Sequence, residues 1–324
     1  MPNIVLSNFY SDLLLKEIQK AVPSGFKIIP LTESTKENLL ANMPEADYLL
    51  AGGRIQIDEQ VLSAAPNLKM IQRTGVGLDS FDLEALIKRN IPLYVNQGIN
   101  ARSVAEHTVM LMFSVMKNVV TINQTLKQGI WKKHEFGIQN HELCGKTVGL
   151  VGLGRIGTLV AKMLQPFDVR LLYNEINPLN KQTENELNIQ FAKLAELLKV
   201  SDIVSLHCSL NDSTLHLLNE TSFSMMKEGA VLINTSRGKL IDEKALVSAL
   251  RNGKIKAAGL DVYEQEPFSK DNELLRLKNV ILSPHISGIT NESFMGMIRN
   301  AFENIVAYEQ EDFEKIEHKK VNYG

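Results

Sequence analysis

The sequence predicts an α/β protein built as two doubly wound parallel sheets. Three features carry that expectation. Short runs rich in Val, Ile, Leu and Tyr alternate with segments of helical periodicity, the rhythm of parallel strands covered by helices on both faces. The rhythm breaks once, at a long helical pattern near residue 100, and then resumes. Soon after it resumes, an apolar strand runs straight into a Gly-x-Gly-x-x-Gly turn followed by a helix.

In chain order, Asn3–Leu6, Lys27–Pro30, Tyr48–Ala51, Met70–Arg73 and Pro92–Val95 read as strands, with helical segments such as Asp12–Ala21 and Leu83–Arg89 between them. From Ala101 to about Asn118, Val104, Thr108, Leu111 and Val115 recur at three- and four-residue spacing, one face of a long helix that Asn100 is placed to cap. A helix in that position would serve as a hinge, with Met110, Met112 and Phe113 as core packing. Trp131, just beyond it, reads either as core or as a group reaching an active site from a neighbouring subunit. Six more strands are expected at Thr147–Val151, Val169–Tyr173, Ile203–His207, Val231–Asn234, Ala257–Leu260 and Val280–Leu282. A final amphipathic helix, Asn291 to about Gln310, is expected to pack back on the first unit.

Composition narrows the function. Hydrophobic residues are 44% and charged residues 22% of the chain, an ordinary globular balance. A net charge of -2 supplies no field to recruit nucleic acid or an anionic membrane. Cys144 and Cys208 are too few for a disulfide framework or a metal cluster, and fit a reducing compartment. Met1–Tyr10 lacks the basic and apolar regions of a signal peptide, and the apolar run Val109–Met116 is too short to cross a bilayer. A cytoplasmic protein is expected.

The glycine motif lies in Thr147–Gly157, TVGLVGLGRIG. Gly152 permits the tight turn, Gly154 lets the backbone approach a pyrophosphate, and Gly157 lets helix and strand pack closely. Arg155 and Ile156 open the helix, whose N-terminal N–H groups and dipole favour an anion. With strand before and helix after, the motif predicts a Rossmann domain for a dinucleotide. An acid is expected at the end of the next strand to bind the adenosine ribose. Asn174 stands there, followed by Glu175. An amide keeps hydrogen bonding to ribose but does not repel a 2′-phosphate, whereas Glu175 would repel one if it faced the pocket. NAD(H) is expected as cofactor, with NADP(H) also accepted.

Three further segments fall at strand C-termini of this second unit, where such sheets bind ligands. They are Asn234-Thr235-Ser236-Arg237-Gly238, the stretch from Asp261 to Glu266-Pro267, and Ser283-Pro284-His285-Ile286-Ser287-Gly288. Together with Gly75-Val76-Gly77-Leu78-Asp79 and Val104-Ala105-Glu106-His107, they make the chain resemble the D-2-hydroxyacid dehydrogenase family nearly end to end. The resemblance implies a cofactor domain, residues 100–289, inserted in a flavodoxin-like substrate domain made of residues 1–99 and 290–324. It also assigns roles that the chemistry demands. Reducing a 2-oxo acid needs a cation for the carboxylate and a proton donor for the developing alkoxide. Arg237 fits the first role, because a guanidinium forks onto a carboxylate and stays charged. His285 fits the second, with Glu266 orienting the ring and favouring its charged form. Glu266 is chosen over Glu264 because the family's acid precedes the proline. A lone loop arginine or histidine is usually structural, so it is their joint placement that carries the assignment.

The resemblance also implies that Val104, His207, Cys208, Ser209 and Thr235 line the cofactor, and that Asp261 touches the carboxamide or orders its own loop. Ser209 replaces a proline common in the family and would make room for a phosphate. The backbone of Gly75, Val76 and Gly77, with Gly53, would receive the substrate carboxylate. Phosphoglycerate-specific relatives carry an arginine where this chain has Gly52, and Arg54 is expected to point away. A small unphosphorylated substrate follows: pyruvate, hydroxypyruvate or glyoxylate. Formate dehydrogenases of this fold have glutamine at the Glu266 position, which disfavours that reaction. D-3-phosphoglycerate dehydrogenase and a non-enzymatic NAD(H)-sensing regulator are the alternatives. Relatives pair through the long helix, so a homodimer is expected.

Overall fold

The computed structural model describes residues 1–323. The chain forms two compact units, one made by the segment up to Asn100 together with that from Thr290 onward, the other by Ala101–Ile289.

In the first unit the elements are β1 (Asn3–Phe9), α1 (Asp12–Ala21), β2 (Lys27–Leu31), α2 (Lys36–Asn42), β3 (Tyr48–Ala51), α3 (Glu59–Ser63), β4 (Met70–Arg73), α4 (Leu83–Arg89) and β5 (Leu93–Val95). The strands are all parallel in the order β2-β1-β3-β4-β5, a flavodoxin-like order. Successive strand residues point to opposite faces, so each strand feeds two cores. Ile4, Leu6, Tyr48, Leu50, Met70 and Tyr94 go to one. Val5, Leu49, Ala51, Ile71 and Leu93 go to the other.

The second unit opens with α5 (Ala101–Met116), α6 (Val119–Lys127) and α7 (Lys133–Gly137). Its sheet begins with β6 (Thr147–Val151), followed by α8 (Arg155–Leu164), β7 (Arg170–Asn174), α9 (Lys181–Leu187), β8 (Ile189–Phe191), α10 (Leu194–Val200) and β9 (Ile203–Leu206). The remaining elements are α11 (Glu220–Met225), β10 (Ala230–Asn234), α12 (Glu243–Arg251), β11 (Ile255–Leu260) and β12 (Val280–Leu282). The order β12-β11-β10-β9-β6-β7-β8 is fully parallel and reverses direction between β6 and β9, the Rossmann switch point. Helix α5 lies against α8 and against β10, β11 and β12, placing one helix across three neighbouring strands. The last helix, α13 (Asn291–Glu309), starts with a capping box between Thr290 and Ser293. It packs on β4 and α1 of the first unit through Ile298, Ala301, Phe302 and Ile305.

The structure corrects several expectations. The second sheet has seven strands, not six. The missed one, β8, is a three-residue edge strand in which only Ile189 is buried, too short for a periodic signal. Met112 is buried and Phe113 packs against the core, but Met110 is 46% exposed because it lies on the outer face of α5. Trp131 is 78% exposed, which removes its reading as core. No helix among the described residues is long and apolar enough to cross a membrane.

Candidate active site

The glycine loop is shaped for close approach. Gly152 has φ 94°, and a Cβ there would stand 2.4 Å from the backbone nitrogen of Cys208. Gly154 caps α8 in extended conformation with open space beside it, and no side chain caps that helix. The open space at Gly154 lies at the N-terminus of α8, a place that suits a pyrophosphate. The residues present fit a dinucleotide.

The last residue of β7, Asn174, and the one after it, Glu175, divide their tasks in a way the sequence did not show. The Asn174 amide donates to the Ala192 carbonyl at 3.0 Å, across the sheet. It is the Glu175 carboxylate that reaches the glycine loop, accepting the Leu153 N–H at 2.8 Å and its neighbour Ile176 N–H at 2.9 Å. On the β9 side, the His207 ring is bonded to Ser205 Oγ at 2.9 Å, and burial lowers its pKa to about 4. Burial raises the neighbouring Cys208 thiol to about 11. Ser209 is exposed, its carbonyl held by Thr214. Val104 is buried, and the Thr108 hydroxyl donates to its carbonyl; Thr235 therefore donates its own hydroxyl to Thr108 Oγ1 at 2.8 Å.

Three strand-end loops converge in the second unit. His285 Nδ1 donates to Glu266 Oε2 at 2.6 Å, and the other oxygen of Glu266 accepts the Tyr263 N–H at 2.9 Å. Arg237 follows β10, with its carbonyl held by the Asn234 side chain and its Nη1 donating to Ser236 O. A Cβ at Gly238 would stand 1.9 Å from the Tyr263 carbonyl carbon, so only glycine allows the arginine loop to lie directly on the segment leading to Glu266. Glu264, in contrast, is turned to His216 at 2.9 Å and to the N–H of Glu243.

Asp261 is fully buried and accepts three bonds: Ser283 Oγ at 2.6 Å, Ile286 N–H at 3.0 Å and Ser287 N–H at 2.8 Å. Of its two expected roles, ordering the loop is the one the structure displays. That loop carries His285 at φ 54°, a left-handed conformation uncommon for a residue other than glycine. Tyr263 adds a bond from its hydroxyl to the Ser283 carbonyl at 2.8 Å. Sequence reasoning missed Tyr263, Ser283, Ser103 and His107 as supports of this loop; His107 carried a signal only through its place in the quoted motif.

In the first unit, the Gly75–Gly77 loop follows β4. Arg73 staples it, Nε donating to Gly77 O at 3.1 Å and Nη1 to Ala51 O and Thr74 Oγ1. Asn96 donates its backbone N–H to Gly75 O and its side-chain amide to Thr74 O. Val76 is 47% exposed at the loop tip. A Cβ on Gly53 would meet Arg73 Nη2 at 2.8 Å, and one on Gly52 would overlap the Asn8 side chain, leaving no room for an arginine at that position. Arg54, just beyond this turn, is exposed.

Strand order, glycine cradle and strand-end loops define a dinucleotide-binding oxidoreductase of two α/β units. The sequence profile of the D-isomer-specific 2-hydroxyacid dehydrogenase NAD-binding domain matches residues 109–287. The glyoxylate reductase of Thermofilum pendens is 42% identical over 275 residues, 84% of this chain and 81% of that one. The hydroxypyruvate reductase of Thermotoga maritima is 37% identical over 261 residues, 80% of this chain and 83% of that one. Among solved structures, the D-lactate dehydrogenase of Aquifex aeolicus, in complex with NAD and lactic acid, superposes with a TM-score of 0.84 at 30% identity, covering 98% of each chain. The chain belongs to the D-isomer-specific 2-hydroxyacid dehydrogenase family.

Proposed function

We propose that the protein reduces a small 2-oxo acid such as glyoxylate, hydroxypyruvate or pyruvate to the D-2-hydroxy acid. NAD(H) serves as cofactor, and NADP(H) is also accepted. The observation that carries this reading is the Glu266–His285 pair at 2.6 Å, set beside the arginine loop by the close contact at Gly238. A bound dihydronicotinamide supplies the hydride that goes to the carbonyl carbon. His285 gives the proton from Nε2 to the carbonyl oxygen while Glu266 compensates the charge of the ring. Arg237 holds the carboxylate and polarises the carbonyl. The backbone N–H groups of Gly75, Val76 and Gly77 bind the carboxylate, with residues 1–99 and 290–324 acting as the substrate domain and residues 100–289 as the cofactor domain. Two free cysteines fit a cytoplasmic setting.

We also propose a homodimer. Helices α6 and α7 bury no residue of their own, and Val119, Val120, Leu126, Ile130, Trp131 and Ile138 are exposed along this stretch, an apolar surface a second copy would cover.

A second reading is reduction of a phosphorylated oxo acid, for which the exposed Arg54 beside Gly53 would supply a cation. The test is NADH consumption with glyoxylate, hydroxypyruvate, pyruvate and 3-phosphohydroxypyruvate. Faster turnover of an unphosphorylated acid supports the main reading, a preference for the phosphorylated one supports the second, and no turnover of any supports a cofactor-sensing regulator. In the active case His285→Ala lowers kcat by about a hundredfold or more; unchanged turnover would refute the assignment of the proton donor.

A further inference from the structure

Helix α5 carries more than packing. Ser103 and His107 are one turn apart, so they share a face, and both reach the loop that holds His285. Ser103 Oγ donates to the Ser287 carbonyl at 2.7 Å, beyond the histidine. His107 Nε2 lies 3.0 Å from Ser283 Oγ, before it. The helix thus grips the loop on both sides of His285.

The protonation of that contact follows from its neighbours. Asp261, fully buried, makes its oxygens acceptors only, so the Ser283 hydroxyl at 2.6 Å donates to it. That hydroxyl is left as the acceptor for His107, whose Nε2 must carry the proton. The same ring nitrogen stands 3.8 Å from Asp261 Oδ1. A donor chain therefore runs His107 to Ser283 to Asp261, and the carboxylate closes it on the N–H groups of Ile286 and Ser287. Without this chain the buried carboxylate would lose a partner at a site where an unmet charge is expensive.

We propose that His107 is a positioning residue for the proton donor: through Ser283 and Asp261, with Ser103 on the far side, it holds the loop in the left-handed turn that aims His285 at Glu266. This rests on the reading of His285 as the acid. The required group is an N–H donor at the place of Nε2. His107→Gln can supply a donor there and His107→Leu cannot, although both fill the space.

The experiment compares the parent with His107→Leu and His107→Gln by amide hydrogen exchange at Ile286 and Ser287, by kcat and KM, and by thermal midpoint. In His107→Leu the two amides should exchange at least tenfold faster and kcat fall about tenfold to a hundredfold, since a small misplacement of a reacting group costs that much. KM for NADH should hold, and His107→Gln should recover most of the protection and rate. Ser283→Ala, which breaks the chain at its middle, should reproduce the leucine phenotype. Unchanged exchange at Ile286 and Ser287 in both His107→Leu and Ser283→Ala overturns the proposal, as does a glutamine variant no better than leucine. Faster exchange with kcat unchanged overturns the positioning role, whereas a His285→Ala variant with unchanged turnover overturns the reading of His285 as acid on which it rests.

Discussion

Glu266→Gln tests the proposed catalytic pair of Glu266 and His285 more sharply than truncation does, because the structure dictates how the glutamine must sit. One Glu266 oxygen accepts the Tyr263 N–H at 2.9 Å and the other accepts from His285 Nδ1 at 2.6 Å. A backbone N–H can only donate, so the glutamine turns its carbonyl to Tyr263 and its NH2 to His285. Nδ1 must then offer a lone pair, and the single ring proton moves to Nε2. The imidazolium, with protons on both nitrogens, is excluded, and the neutral ring can no longer accept a hydroxyl proton at Nε2 in the reverse direction. A charge-assisted hydrogen bond is worth about 1.5–3 kcal/mol, and a wrong-tautomer amide beside a catalytic histidine has cost up to about 10⁴-fold elsewhere. Here the two side chains are 48% and 34% exposed, so water moderates the loss. The expected fall in kcat is therefore about a hundredfold in both directions, with NADH affinity unchanged by fluorescence titration. A Glu266→Gln variant that keeps the parent's kcat in either direction would refute the tautomer argument.

Cofactor choice should follow Glu175 rather than Asn174. Removing the charge with Glu175→Gln should raise kcat/KM for NADPH relative to NADH by about tenfold or more, the scale of one charge repulsion at a partly solvated site. Asn174→Asp, whose side chain faces Ala192, should move the ratio less; the reverse ranking would show that the amide, not the carboxylate, faces the ribose. His207 makes stability depend on pH. Its ring stays neutral in the fold down to about 4, while the unfolded chain protonates it near the ordinary 6.5. Between those values the unfolded state binds more protons, so stability falls as pH drops through that window and is unaffected above it. The loss is at most about 3 kcal/mol, and less because the residue keeps partial exposure. Urea midpoints across pH 4 to 7 should slope in the parent and flatten in His207→Gln; equal slopes would remove His207 as the cause. Light scattering should give twice the mass of one chain, and Trp131→Glu with Ile138→Glu should shift it toward one; a parent of single-chain mass rules the dimer out.

Much of this molecule was legible in one dimension. Strands such as Tyr48–Ala51 and Thr147–Val151, the helix Asp12–Ala21 and the start of α5 are set by local periodicity, which any contiguous stretch displays. The glycine cradle was legible for the same reason: Gly152 turns and Gly154 opens the path within a few residues of chain. What the sequence left undecided depends on neighbours distant along the chain. β8 is a strand only because β7 stands beside it to pair with Ile189–Phe191. Asn174 and Glu175 are adjacent in sequence, yet the amide turns to a neighbouring strand and the carboxylate to the glycine loop. Met110 and Met112 share a helix and a chemistry, and only the packing of α5 exposes one and buries the other. The support of His285 is the clearest case. Ser103 and His107 share one helix face, but Asp261 and Ser283 lie far along the chain, and their bonds exist only once two strand ends and a helix are assembled. Periodicity is a property of the backbone's own repeat, whereas the direction of a hydrogen bond is set by whichever partner the tertiary fold brings within reach.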